Sequence, residues 1–142
     1  MSSTYSCIFG TSRRVPGLRE KTFYIACNHG RSCLLSPGLN GTTYWAIFVR
    51  NESVTEGPNG RQYTTEDEEK VIQEYMTDDV ARGVSVRDLY TCKIRSRLVS
   101  LEEGVLQQWS FGRIVLIGDS AHKVPPDSCQ SRIILANRVV PV

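Results

Sequence analysis

The first third of the chain alternates apolar and polar residues in short runs that are separated by turn residues. The runs most typical of strands are 23–27, 31–35 and 43–49, and the last is the richest in aromatic and β-branched residues. Asn28-His29-Gly30 and Ser36-Pro37-Gly38 lie between them. Three strands joined by such short turns predict an antiparallel meander with one covered and one exposed face.

A helical spacing of apolar residues follows the polar loop 51–60 and predicts a helix over 66–76. Thr65 and Glu68 have the spacing of a capping box, and acidic residues suit the positive end of a helix. We interpret the acidic run as a solvated first turn, with a partner-binding patch as the alternative. The apolar positions on the buried side are Val71, Ile72, Tyr75 and Met76.

The pattern changes again near the end of the chain. After an alternating stretch over 93–100, residues 113–119 place four consecutive aliphatics before Gly-Asp. Such a run predicts a strand that is buried on both faces in a parallel sheet. The expected fold class is therefore α+β to α/β, with an antiparallel unit over 1–108 and part of a second unit over 109–142.

Charge and composition exclude several classes of function. The formal net charge is only +2, and Arg13-Arg14 and Arg95 with Arg97 are short pairs rather than a basic stripe, so we expect no nucleic-acid partner. No apolar run approaches the ~18 residues of a membrane span, and the first residues do not resemble a secretory signal. An intracellular, cytoplasmic protein is the default expectation.

The remaining metal and nucleophile candidates have simpler explanations. His29 lacks a second ligand at useful spacing, so a turn residue is the better interpretation. Asp119, Ser120 and His122 are the residue types of a catalytic triad, but they lie too close in the chain to reach its geometry. We expect reduced thiols, and neither a disulfide framework nor a zinc site, at the five widely spaced cysteines Cys7, Cys27, Cys33, Cys92 and Cys129.

The most specific signal is the run Gly118-Asp119-Ser120-Ala121-His122 and the Pro125-Pro126 that follows it. A strand would deliver Asp119 at its carboxyl end, where α/β sheets bind ligands. Gly118 would let a ligand approach the backbone closely, and the Asp119 carboxylate can accept hydrogen bonds from ribose hydroxyls. The two prolines exclude a helix and impose an extended turn.

Residues 113–126 resemble the second FAD fingerprint of the class A FAD-dependent monooxygenases, the p-hydroxybenzoate hydroxylase-like enzymes. In that family a strand ends in Gly-Asp-Ala/Ser-Ala-His and is followed by Pro and by a Gly-Gln-Gly helix start. The resemblance implies that Gly118 and Asp119 lie at the FAD ribose and that Pro126 lies beside the isoalloxazine. It also implies that 109–142 is one strand and turn of a split, Rossmann-like FAD-binding domain.

A narrower resemblance covers the first half of the chain. Residues 5–12, Val15-Pro16-Gly17 and Thr43-Tyr44-Trp45 are similar to the substrate-domain sheet of fungal monooxygenases from meroterpenoid and indole-diterpene biosynthesis. Those enzymes epoxidise an olefin of a prenyl chain. The resemblance implies a small terpenoid-like substrate, FAD as cofactor and NADPH as reductant, and it is compatible with association of the whole protein with a membrane.

The same resemblance offers one weak catalytic candidate. Tyr24 lies in the substrate-type sheet, where family members carry a functional tyrosine, but packing or surface exposure is the alternative that we favour. No other catalytic residue is assigned. Trp45 and Trp109 are expected in the core.

Departures from the family pattern leave three functional hypotheses open. The sequence contains no G-x-G-x-x-G, and the family's Gly-Gln-Gly falls on Cys129-Gln130-Ser131. Gln130 and Arg132 stay in the candidate cofactor-binding set. We therefore expect either an internal part of a monooxygenase or a truncated, non-catalytic remnant. A split enzyme whose N-terminal half is another chain is a third possibility.

Overall fold

The computed structural model describes residues 2–56 and 62–123, and we number its elements in chain order. The helices are α1 (Thr65–Tyr75) and α2 (Val86–Thr91), and Gly118–Ser120 forms a single 3-10 turn. The strands are β1 (Ser2–Arg13), β2 (Tyr24–Asn28), β3 (Arg31–Pro37), β4 (Thr42–Glu56), β5 (Asp79–Ala81), β6 (Val84–Ser85), β7 (Lys93–Val105), β8 (Ser110–Phe111), β9 (Ile114–Val115) and β10 (His122–Lys123).

Six of these strands form one antiparallel sheet in the order β10-β7-β1-β4-β3-β2. The predicted meander is confirmed as β2, β3 and β4, which are joined by short turns. β1 lies in the middle of the sheet and pairs along its length with β4 on one side and β7 on the other. Ile8 thus lies opposite both Ile47 and Leu98.

One face of the sheet carries the main core. α1, α2 and the β5–β6 hairpin contribute the residues that cover it, as the hydrophobic effect favours for an amphipathic helix. Trp45 is buried here, as predicted, and its ring packs where a side chain at Gly10 would otherwise stand. The buried members of this core are Ile8, Val15, Cys33, Leu35, Trp45, Ile47, Val49, Ile72, Val80, Val84, Val86, Leu89 and Leu98.

The predicted helix is confirmed as α1, but two details of its first turn were wrong. The capping box begins one residue earlier: Thr64 is the N-cap, and Asp67 closes the box. Glu68 is not solvated but buried, with 5% of its surface exposed. The cause is that Glu68 faces β7, where it accepts hydrogen bonds from the Ser96 hydroxyl and the Leu98 backbone N–H.

The predicted buried strand over 113–119 is wrong for the described chain. Only β9 forms, and it pairs antiparallel with β8 as an exposed hairpin. Ile114, Val115 and Ile117 are each at least 66% exposed. Every strand pairing among the described residues is antiparallel, so no parallel neighbours cover this run. Trp109 is also half-exposed rather than in the core, because it precedes the same hairpin.

In the part of the chain that the structure describes, no helix is long and apolar enough to cross a membrane.

Candidate functional site

The turn after β9 carries the residues of the Gly-Asp motif. Gly118 has a φ of +58°, a conformation that side chains disfavour, and nothing lies within 4 Å of the place where a Cβ would stand. The Ala121 N–H donates a 2.9 Å hydrogen bond to the Gly118 carbonyl and closes the turn. The Asp119 carboxylate is therefore held on a defined turn with open space beside it.

This turn is tied to the edge of the large sheet. The Leu106 N–H donates a 2.9 Å hydrogen bond to the Ala121 carbonyl, and β10 pairs with the end of β7, with His122 opposite Val105. Lys123 adds an ion pair of 3.9 Å with Glu102. These contacts join the motif to β7 of the large sheet.

Asp119 and Ser120 are both exposed and line a shallow cavity of about 140 Å³. Gly104, Val105, Leu106, Ala121 and Lys123 complete its wall. A carboxylate beside a hydroxyl is a donor and acceptor set that suits a polyol. Among the described residues no group of His, Cys, Asp and Glu could hold a metal ion.

His122 has a packing contact rather than a catalytic one. Its ring lies 5.4 Å from the Trp109 ring at an interplanar angle of 31°. The Trp109 Nε1–H donates a 2.7 Å hydrogen bond to the Leu106 carbonyl, which fixes the indole. Within the described ranges no hydrogen bond links His122 to Ser120 or Asp119, and the triad alternative gains no support.

Tyr24 lies on β2 and packs against the helix-covered core. Its hydroxyl accepts a 2.8 Å hydrogen bond from the Arg19 backbone N–H. The phenol therefore holds the connection between β1 and β2, and this placement favours the packing alternative. Pro126, Gln130 and Arg132 lie outside the described residues.

The sheet face opposite the helices, which we call the open face, includes the exposed face predicted for the meander, but its extension over β1 and β7 was not identified from the sequence. Cys7 and Phe48 are buried on it, whereas Phe9 is 49% exposed and contacts Phe48 edge-on at 6.4 Å between ring centroids. Alternate residues of β1 and β7 belong to this face because side chains alternate along a strand. The alternation in 93–100 was the available signal, but its strand partners could not be inferred.

The described residues fit one part of an FAD molecule. The Asp119 carboxylate and the Ser120 hydroxyl, beside the unobstructed backbone of Gly118, suit sugar hydroxyls. The pyrophosphate needs a Gly-rich turn at a helix N-terminus, and the sequence contains no such motif. The donor and acceptor groups of this turn therefore suit the ribose part of the cofactor.

Comparisons with known proteins agree with this assignment. The FAD binding domain family matches residues 5–130. The FAD-dependent monooxygenase spyC of Aspergillus fumigatus is 38% identical over 130 residues, which are 92% of this chain and 27% of the relative. The FAD-dependent monooxygenase prhF of Penicillium brasilianum is 33% identical, over 87% of this chain and 26% of the relative.

Two solved structures share the fold. An arginine-to-glutamine variant of HpxO from Klebsiella pneumoniae, complexed with FAD, has a TM-score of 0.60 at 17% identity, over 89% of this chain and 32% of that one. The 2,6-dihydroxypyridine-3-hydroxylase of Arthrobacter nicotinovorans has a TM-score of 0.57 at 13% identity, over 84% and 36%. The chain spans about a quarter of the length of the fungal relatives named above, and it belongs to the FAD binding domain family of FAD-dependent monooxygenases.

Proposed function

We propose that this chain supplies the substrate-facing sheet and one FAD-contacting turn of a monooxygenase that epoxidises an olefin of a prenylated or terpenoid intermediate in fungal secondary metabolism. The observation that carries the proposal is the anchored Gly118–Asp119 turn inside a chain that matches the FAD binding domain family over residues 5–130. The names of the fungal relatives support FAD-dependent monooxygenation as the broader class of reaction. The apolar open face supports a hydrophobic substrate.

The chain's own residues would bind and orient. The Asp119 carboxylate would accept hydrogen bonds from FAD ribose hydroxyls, and Gly118 would let the cofactor approach the backbone. The open face, with Phe9 and Phe48, would hold an apolar substrate and exclude water from it. When bound, reduced FAD supplies the activation of O₂, with NADPH as the proposed reductant.

A chimera tests this proposal. In the chimera, this chain replaces the matching segment of the Aspergillus fumigatus relative, and the relative supplies the rest of the enzyme. We expect a yellow protein with one FAD per chain and NADPH consumption that rises with a prenylated olefin. The 142-residue chain alone, as the matched comparison, should retain no FAD. A folded chimera without bound flavin would contradict the proposal.

A non-catalytic remnant is the second candidate function. One observation inside the chain favours it: Cys129 and Ser131 stand where the family pattern has glycines. In addition, Ile114, Val115 and Ile117 are exposed in and beside the β8–β9 hairpin, and exposed aliphatics at a strand edge promote aggregation. A chimera that binds FAD but oxidises no olefin would favour the remnant, because the fold would then have kept binding without chemistry.

A further inference from the structure

The strand registers place one row of side chains straight across five strands of the open face. The successive partners from β2 to β7 are Ile25, Leu34, Ala46, Phe9 and Arg97. With strands about 4.8 Å apart, the row is roughly 19 Å long. It is apolar for four positions and ends in a guanidinium group.

Two neighbouring rows complete this part of the open face. One contains Cys27, Ser32, Phe48, Cys7 and Val99, and the other contains Ser36, Tyr44, Thr11 and Arg95. No carboxylate lies in any of the three rows. All the formal charge on them is therefore the positive charge of Arg95 and Arg97, both on β7.

The arginines are available to a ligand. Arg95 and Arg97 are exposed, and neither has an ion-pair partner in the described ranges 2–56 and 62–123. Beside them Phe9 is 49% exposed and Tyr44 is 56% exposed, while Ile25 is 61% exposed at the far end. A continuous row of apolar side chains, exposed at Ile25 and Phe9 and ending at guanidinium groups without an ion-pair partner among the described residues, is complementary to an amphiphile with a negative head.

We propose that the open face binds a linear apolar chain that carries a carboxylate, and that Arg97 determines this specificity. This inference rests on the proposed function and names its substrate class. The apolar tail lies along Ile25, Leu34 and Phe9. The carboxylate pairs with the Arg97 guanidinium, whose planar donors suit its two oxygen acceptors, and Arg95 adds a second positive charge.

The head group distinguishes this occupant from a neutral terpenoid and from a second copy of the chain. A neutral chain would use the apolar row and gain nothing from Arg97. A second copy, paired through the same face, would bring positive charge with no carboxylate in these rows to offset it. Charge complementarity therefore selects the anionic amphiphile.

Binding of farnesoic acid and of its methyl ester to the 142-residue chain, in the absence of FAD, tests the inference. The two probes share the apolar chain and differ in the negative charge. We expect the acid to bind at least tenfold more tightly than the ester. Arg97→Gln should abolish this preference and leave ester binding unchanged, and Arg97→Lys should keep part of it. Arg82→Gln, which removes an exposed arginine from the β5–β6 turn, is the matched control and should change neither affinity.

Equal affinity for acid and ester, no binding of either probe, or equal effects of Arg97→Gln and Arg82→Gln would each overturn the inference. A dimer in sedimentation that excludes both probes would show that a second copy covers the face, and would overturn it too. Because the assay contains no flavin, its failure is separate from failure of the proposed function. FAD retention by the chimera reports on the latter alone.

Discussion

The Trp45 Nε1–H donates a 2.7 Å hydrogen bond to the Ser12 hydroxyl oxygen, and both residues are buried. Ser12 in turn donates a 2.7 Å hydrogen bond to the Leu89 carbonyl. One hydroxyl thus links β4, β1 and α2. This hydroxyl therefore provides the hydrogen-bond partner of the buried indole N–H and of a backbone carbonyl in α2, which buried polar groups require.

We expect Ser12→Ala to lower the free energy of unfolding by about 1–3 kcal/mol, because it leaves the Trp45 donor and the Leu89 acceptor without their shared partner. Ser36→Ala removes an exposed hydroxyl from the same sheet and should cost less than about 0.5 kcal/mol. Urea unfolding followed by Trp fluorescence measures both. Equal stability of the two variants would show that the relay contributes nothing.

Glu68 should be the most sensitive acidic position of α1. Its carboxylate is buried, accepts from Ser96 and Leu98, and lies 3.8 Å from the Lys93 ammonium. Glu68→Ala leaves these donors unpaired and should lower the free energy of unfolding by about 3 kcal/mol. Its neighbour Glu69 is exposed, and Glu69→Ala is the control, with an expected change below about 0.5 kcal/mol. Equal losses of unfolding free energy for the two variants, measured by chemical denaturation, would contradict this expectation.

The thiols should divide into reactive and unreactive groups. Burial raises the pKa of the Cys33 thiol to about 12. The pKa of the Cys7 thiol is also raised well above its ordinary value, mainly by burial and secondarily by the nearby Cys33. The thiolate is the reactive form, so iodoacetamide at mildly alkaline pH should modify the exposed Cys27 and spare both buried thiols. Modification of all three in guanidinium chloride is the control. Rapid native labelling of Cys33, seen by peptide mass spectrometry, would contradict its burial.

The same raised pKa of Cys33 gives a pH dependence of stability. The folded state keeps the proton that the unfolded chain loses at the ordinary thiol pKa of 9.0. Stability from this group is therefore full below that pH and is lost as the pH rises towards about 12. Cys33→Ser should reduce the alkaline decline measured by thermal unfolding, and an unchanged decline would assign it to other groups.

Asp119 should matter for the cofactor and little for the fold. In the chimera, Asp119→Ala removes a charge-assisted hydrogen bond to ribose and should weaken FAD binding by roughly 1.5–3 kcal/mol, or tenfold or more in Kd. Because Asp119 is exposed on its turn, the unfolding temperature of the flavin-free protein should not change. Glu69→Ala, at an exposed position of α1 outside this turn, is the control and should leave FAD binding unchanged. Full FAD retention after gel filtration of Asp119→Ala would exclude the ribose contact.

Local patterns in the sequence were enough to predict several strands, one helix and the family of this protein. The alternation of 31–35 and 43–49, with turn residues between them, predicted the meander, and helical spacing predicted α1. These features depend on residues that are close in the chain, where side-chain period and turn chemistry act directly. The Gly118-Asp119 motif identified the family for a similar reason, since its residues are contiguous.

Only the tertiary structure decided what depends on distant partners. It placed β1 between β4 and β7, so that Phe9 faces Ala46 and Arg97 across the open face. It buried Glu68 against β7, and it left the 114–117 aliphatics exposed because strand burial depends on which neighbours pair with the strand. A periodic pattern specifies which side chains share a face, but the register between strands, set by contacts far apart in sequence, determines which of them meet.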